Sequence, residues 1–170
     1  MATGRAETAR SDRSASGAQV KARERVLTRV FAAPRELVFK AWTDPAHLAR
    51  WWGPQGFTNP VCEVDPRPGG ALRIVVRSPS GVDYPMTGTF QEIAPPERLV
   101  FTSAAQDTQG RSVLEVQTTV TFAAHGRQTH LTVQVRVIAA TDAAAPYLAG
   151  MEQGWTQSLQ RLAALLAGTD

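Results

Sequence analysis

Between Pro146 and Ala167 apolar side chains recur in steps of three and four: Leu148, Met151, Trp155, Leu159, Leu162 and Leu166, with Ser158 and Leu165 alongside. That spacing predicts one long helix carrying a single apolar stripe. Upstream the period changes to two. Over Ala71–Arg77, Leu72, Ile74 and Val76 alternate with Arg73 and Arg77. Over Asp83–Ile93, Tyr84, Met86, Gly88 and Phe90 share one face, and Thr87, Thr89 and Gln91 the other. Over Val113–Phe122, Leu114, Val116, Val120 and Phe122 alternate with Glu115, Gln117, Thr119 and Thr121; Leu131, Val133, Val135 and Val137 then alternate with Thr132, Gln134 and Arg136. Clean alternation predicts antiparallel strands with one face buried and one wet. Ala22–Phe31, Phe57–Asp65 and Arg98–Ser103 read as further strands.

The connections carry turn chemistry. Pro66-Arg67-Pro68-Gly69-Gly70, Ser78-Pro79-Ser80-Gly81, Pro95-Pro96 and Ala124-His125-Gly126-Arg127 separate consecutive strands, the last as a hairpin turn. Such short links require a meander. Two short helices interrupt it early. Pro34 opens the first, where Leu37, Val38, Ala41 and Trp42 keep helical spacing. Asp44-Pro45 starts the second, with Asp44 as N-cap, and Gly53-Pro54 ends it. The expected fold class is α+β: a seven-stranded curved antiparallel sheet wrapped around a long C-terminal helix, with two short helices after the first strand. The space between sheet and long helix is the expected functional site.

Composition narrows the function. The length of 170 residues favours one domain, and 43% hydrophobic residues supply a core. Residues 1–20 are Ala-, Ser-, Gly-, Thr- and Arg-rich, and are predicted to be a disordered basic tail; residues 21–168 form the expected domain. The net charge of +3 sits entirely in residues 1–25, which hold six basic and three acidic side chains; residues 26–170 hold twelve of each. A neutral body argues against a nucleic-acid partner. No run approaches the roughly 20 apolar residues of a membrane span, so no membrane insertion is expected. The first residues lack the apolar core of a secretory signal. The single cysteine, Cys62, excludes an internal disulfide. A soluble, cytoplasmic protein is expected.

Several segments together resemble one family. They are Leu37–Pro45 (LVFKAWTDP), Leu48, Trp51-Trp52-Gly53-Pro54, Gly56-Phe57, Asp65–Gly70 (DPRPGG), Gly88, Pro95–Phe101 (PPERLVF) and Gly154-Trp155. The chain is similar, over about residues 24–167, to the branch named after the activator of the heat-shock-protein-90 ATPase. That branch lies within the START-type, birch-pollen-allergen-like superfamily (SRPBCC). The resemblance implies the helix-grip fold, in agreement with the element order above. It also implies a cavity for lipids, sterols, polyketides or other apolar molecules; some members are cyclases or hydrolases. The namesake co-chaperone carries a further N-terminal domain that these residues do not contain.

Catalytic chemistry is sparse. His125 is expected in a hairpin turn, His130 at the start of the following strand and His47 on a short surface helix, all away from the interior. A nucleophile needs a base within reach, so no catalytic set is assigned. Cys62 reads as a small buried side chain. No spacing resembles a metal site, and neither metal nor cofactor is expected. Gly69-Gly70 and Gly81 are turn glycines that open no helix. Aromatic residues stand out instead. Trp51 and Trp52 are adjacent and cannot both face inward, so one is expected on the sheet and the other at a cavity rim. Tyr84 shares a face with Met86 and Phe90, and its hydroxyl, if buried, needs a partner. Gly154 removes a side chain where helix faces sheet. Arg73 and Glu115 fall on the wet face, and Glu63 is left open beside Pro60. The candidate ligand-binding set is Trp51, Trp52, Phe57, Tyr84, Met86, Phe101, Met151, Trp155 and Leu159. Trp42, Phe90 and Phe101 also suit a packed core.

The expected function is binding of a small hydrophobic or amphipathic molecule. A cyclase- or hydrolase-type enzyme acting on such a molecule is the first alternative. A co-chaperone-like module, with a chaperone or a second copy of the chain as partner, is the second.

Overall fold

Alternating strands bury one face only when their backbones pair, and here seven do so in one sheet. The computed structural model describes residues 24–168; the tail expected over residues 1–20 lies outside them. The elements are β1 (Glu24–Phe31), α1 (Arg35–Thr43), α2 (Pro45–Trp51), β2 (Thr58–Val64), β3 (Ala71–Arg77), β4 (Asp83–Ala94), β5 (Arg98–Gln106), β6 (Ser112–His125), β7 (Gln128–Ala140) and α3 (Ala145–Ala167). A single 3₁₀ turn, Asp142–Ala144, precedes α3. The sheet is antiparallel throughout, in the order β1-β7-β6-β5-β4-β3-β2. Strands β2 to β7 meander, and β1 closes the far edge against β7. The sheet curves around α3, which is the helix-grip fold.

The short helices begin where their caps dictate. The Asp44 backbone N–H donates to Lys40 O at the end of α1, and its carboxylate accepts from Ala46 N at the start of α2, 2.9 Å each. One residue therefore ends one helix and starts the next, with Pro45 in the first turn of α2, where no N–H is needed. Pro34 sits one position earlier than expected, as the extended N-cap of α1 rather than inside it.

The strands run longer than their alternation. β5 continues through Ala104, Ala105 and Gln106, which pair with Glu115, Leu114 and Ser112. β6 and β7 pair out to His125 and Gln128, so their hairpin turn is two residues, Gly126-Arg127, rather than four. His125 is thus a strand residue. Backbone pairing needs no apolar side chain, which is why alanines and histidines at strand ends hide the true limits.

The core joins the inner face of the sheet to α1, α2 and the C-terminal half of α3. Leu159 and Leu162 are buried on α3, against Phe31, Val38, Phe122 and Val133 of one continuous cluster. Thr129 Oγ1 donates to Ala33 O at 2.7 Å and ties β7 to the β1–α1 link. Toward the N-terminal end of α3 the stripe is only partly buried: Leu148, Met151 and Trp155 are intermediate. Tyr147, Leu148 and Met151 still pack on a second, smaller cluster of Val113, Leu114, Val137 and Ala144, so the helix meets the sheet at both ends and stands off it between them.

That asymmetry sets a stability prediction. Leu162→Ala empties a fully buried site and is expected to cost about 2–5 kcal/mol. Leu148→Ala, at the partly buried end, is expected to cost less than half as much, as read from urea midpoints.

Candidate functional site

The gap under the N-terminal half of α3 is a cavity of about 350 Å³. Its floor is the inner face of β3 to β7: Val76, Tyr84, Met86, Ser103, Ala105, Leu114, Val116, Thr118 and Val135. Its roof is α3, through Pro146, Tyr147, Gly150, Met151, Gly154, Trp155 and Ser158. One side wall is the α2–β2 loop, through Trp52, Gly53, Pro54 and Phe57. None of these side chains is charged.

Small residues meeting across the gap create it. A Cβ added at Gly150 or Gly154 would find nothing within 4 Å. These positions lie one turn apart, so together they clear a strip of the helix face. Beneath, Ser103 and Ala105 are small too. Gly88 pairs with Ser103, and a Cβ there would run into the Thr102 carbonyl oxygen, so β4 and β5 lie too close for a side chain.

The loop wall is fastened to α3 by three side chains. The Arg161 guanidinium donates to Trp52 O, Gly53 O and Pro54 O at 3.0, 3.0 and 3.1 Å and to Arg50 O at 3.1 Å. These carbonyls follow the C-terminal end of α2, where a cation is favoured. Partial burial lowers the guanidinium pKa, yet arginine keeps its charge in proteins. Ser158 Oγ accepts from Gly53 N at 3.1 Å and donates to Gly154 O at 2.9 Å. Gln157 Oε1 accepts from Gln55 N at 3.0 Å. Gly53 holds φ +98°, a region side-chain-bearing residues avoid, and a Cβ there would press on Val76 at 3.1 Å. From the other side Asn59 Nδ2 donates to Ala49 O and Trp52 O at 2.9 and 2.8 Å.

Aromatic rings line the loop side. Trp52 meets Trp155 edge to face with centroids 5.3 Å apart, and Trp155 stacks on Trp42 at 6.0 Å. At the mouth Phe57 and Tyr84 face each other at 6.4 Å. Tyr84 lines the cavity and is 40% exposed, which puts it at the rim rather than buried inside.

Of the candidate set, the fold brings Trp52, Phe57, Tyr84, Met86, Met151 and Trp155 to the cavity. It places Trp51, Phe101 and Leu159 in the packed core instead. Trp51 is fully buried, packs on Trp42 at 4.7 Å and donates its indole N–H to Ala41 O at 2.9 Å. Phe101 pairs with Phe90 on the neighbouring strand, centroids 5.9 Å apart. Leu159 belongs to the flush half of α3. Glu63 lies on the wet face, 3.5 Å from Arg73. The residues the sequence did not single out are Ser103, Thr118, Tyr147, Gly150 and Arg161. Thr118 was visible in principle: it occupies the inward column of Leu114, Val116, Val120 and Phe122.

No histidine lines the cavity. His47 lies 3.1 Å from Asp44, and His125 stacks on His130 at 4.5 Å on the β6–β7 hairpin. Among the described residues no three His, Cys, Asp or Glu side chains gather as a metal site, and no helix is long and apolar enough to cross a membrane. Burial pushes the Cys62 thiol up to about 11.

Comparison with known proteins adds the following. The model of the family "Activator of Hsp90 ATPase homolog 1-like protein" matches residues 32–167. The crystal structure of a Chromobacterium violaceum protein is similar at 33% identity and TM-score 0.74, covering 85% of this chain and 96% of that one. The AHSA1 protein of Silicibacter pomeroyi is similar at 30% identity and TM-score 0.74, with 85% and 97% covered. A Nitrosomonas europaea protein is similar at 27% identity and TM-score 0.72, with 86% and 95% covered. No curated protein matches.

Two predictions arise from the wall and the thiol. Arg161→Met keeps the aliphatic stem but strands four carbonyls, and is expected to cost about 1–3 kcal/mol in urea unfolding. For Cys62, the ordinary thiol value is 9.0 and the folded one about 11. The unfolded chain therefore loses its proton first, and stability from this group is complete below pH 9 and declines toward pH 11. Labelling with a thiolate-selective disulfide reagent should be slow at pH 7–9, speed up only near pH 11, and match a free cysteine once urea unfolds the chain.

Proposed function

The chain belongs to the Activator of Hsp90 ATPase homolog 1-like family, and from that premise we propose that its cavity binds a small, largely apolar molecule. The observation that carries this reading is the gap itself. A space of about 350 Å³ lies toward the lower end of the roughly 300–1,000 Å³ of ligand pockets. It is walled by carbon and aromatic rings, with a few hydroxyls. Filling it removes apolar surface from water, which is favourable at about 25 cal/mol per Å² before association costs. A charged head group finds no counter-charge within the lining and is disfavoured there. The bound molecule is accordingly uncharged, or keeps its charge at the mouth beside Tyr84. A cytoplasmic location fits this role.

The enzymatic alternative would rest on Tyr84 and Tyr147, the ionisable side chains among the lining residues, and no second acid–base group meets either. The protein-interaction alternative would rest on exposed Val26, Val30 and Ile138 of β1 and β7. The cavity is the better supported of the three.

The test uses N-phenyl-1-naphthylamine, an uncharged dye that brightens out of water. Saturable brightening is expected with the purified chain. Gly154→Leu, which projects a side chain into the empty strip, should weaken binding at least about tenfold, or about 1.4 kcal/mol. Gly154→Ala should instead stabilise the helix by up to about 1 kcal/mol. Undiminished dye binding in a folded Gly154→Leu protein would sink the proposal, as would the absence of any binding to the wild-type chain.

A further inference from the structure

We propose that Ser103 and Thr118 form the polar subsite of this cavity, receiving an uncharged hydroxyl or carbonyl group of the ligand at its inner end. The inference rests on the cavity-binding reading above and specifies the chemistry of the molecule bound.

Four polar side chains are buried among the described residues: Ser103, Thr118, Thr129 and Ser158. Two of them are accounted for by the fold. Thr129 donates to Ala33 O, and Ser158 serves both Gly53 N and Gly154 O. Thr118 is not: it is 0% exposed and its Oγ1 has no hydrogen-bond partner. Ser103 is 7% exposed and lines the same cavity. Two other buried polar atoms lack partners, on Trp42 and Asn59. Neither residue lines the cavity, whereas Thr118 does.

The two hydroxyls belong together by register. Ser103 pairs with Val116 and Thr118 with Phe101, so they are diagonal neighbours on β5 and β6. In an antiparallel sheet that diagonal spans roughly 7 Å between Cβ atoms, close enough to serve one polar group between them. Around them the floor is apolar: Met86, Ala105, Val116 and Val135. A buried hydroxyl left unpaired carries its full desolvation penalty. Valine would fill the volume of Thr118 without that penalty. A polar ligand group placed beside Thr118 would remove that penalty.

The chemistry of the subsite restricts the ligand. Each hydroxyl both donates and accepts, so the pair matches a neutral alcohol, phenol, ketone or amide. Among the described residues no cation lines the cavity to meet a carboxylate, and no anion to meet an amine. The ligand enters polar end first, leaving its apolar body against Trp52, Trp155 and the Phe57–Tyr84 mouth.

The experiment displaces N-phenyl-1-naphthylamine with three ligands of one shape: 2-naphthol, 2-methylnaphthalene and 2-naphthoate. Wild type, Ser103→Ala, Thr118→Val and Thr118→Ser are compared, each with a thermal melt in the absence of ligand. Naphthoate is expected to bind most weakly to the wild type. Thr118→Val and Ser103→Ala should each weaken 2-naphthol three- to tenfold and leave 2-methylnaphthalene within twofold. Thr118→Ser should hold 2-naphthol near the wild-type affinity. The ligand-free Thr118→Val protein should melt at or above the wild-type temperature. The subsite is overturned if 2-naphthol is indifferent to both hydroxyls, or if both neutral ligands weaken alike. It is equally overturned if Thr118→Val melts lower or fails to fold, since the hydroxyl would then be structural. If the wild-type chain binds neither dye nor naphthalenes, the cavity reading itself falls; dye binding with indifferent variants removes the subsite alone.

Discussion

One arginine holds the architecture open. Arg161 lays its guanidinium on the carbonyls of Arg50, Trp52, Gly53 and Pro54. It meets no carboxylate there. Its partners are backbone oxygens at the end of a short helix, where the peptide dipoles leave partial negative charge. That contact joins the C-terminal half of α3 to the loop that walls the cavity. Ser158 and Gln157 extend the same seam along the helix by one turn. The helix is thereby anchored through its C-terminal half, while Tyr147, Leu148 and Met151 rest on the smaller cluster at β6 and β7.

This division of labour explains how one helix can secure the core and still leave a gap beside the sheet. Leu159 and Leu162 press into a continuous core. Gly154 and Gly150, about one and two turns earlier, present no side chain at all. Interior voids normally cost stability because surrounding atoms lose partners. Here the cost is carried by a helix whose other end is secured by packing and by Arg161. Glycine adds a helix-propensity penalty of its own, about 1 kcal/mol each. A chain that needed only a core would have put alanine or leucine at both places.

Much of this was legible in the sequence, for definite reasons. The period-two runs gave β3, β4, β6 and β7, because one face of each is buried, although β6 and β7 run past their alternation. The 3–4 spacing from Leu148 to Leu166 gave α3 to within a residue. The adjacency of Trp51 and Trp52 forced them apart, and the structure puts Trp51 in the core and Trp52 on the cavity. Which of them went inward was not readable, since that depends on where α2 meets the Ala41 carbonyl. Phe101 and Leu159 were misplaced because an inward-facing apolar residue looks the same whether it meets a neighbour or a void. Arg161 left no trace, because its partners are carbonyls that every residue carries. Ser103 and Thr118 sat in columns of otherwise apolar residues, where a single small hydroxyl reads as noise in the alternation.

The mouth between Phe57 and Tyr84 has a kinetic consequence. Two rings 6.4 Å apart, one of them substantially exposed, stand where a molecule would pass, and they swing on side-chain torsions alone. Exposed side chains reorient in picoseconds to nanoseconds, whereas detaching a packed helix takes microseconds or longer. Traffic of the proposed ligand through that doorway would leave α3, its arginine seam and the hydrophobic interior undisturbed. Loading and discharge would thereby be uncoupled from the cooperative unit that keeps the chain folded.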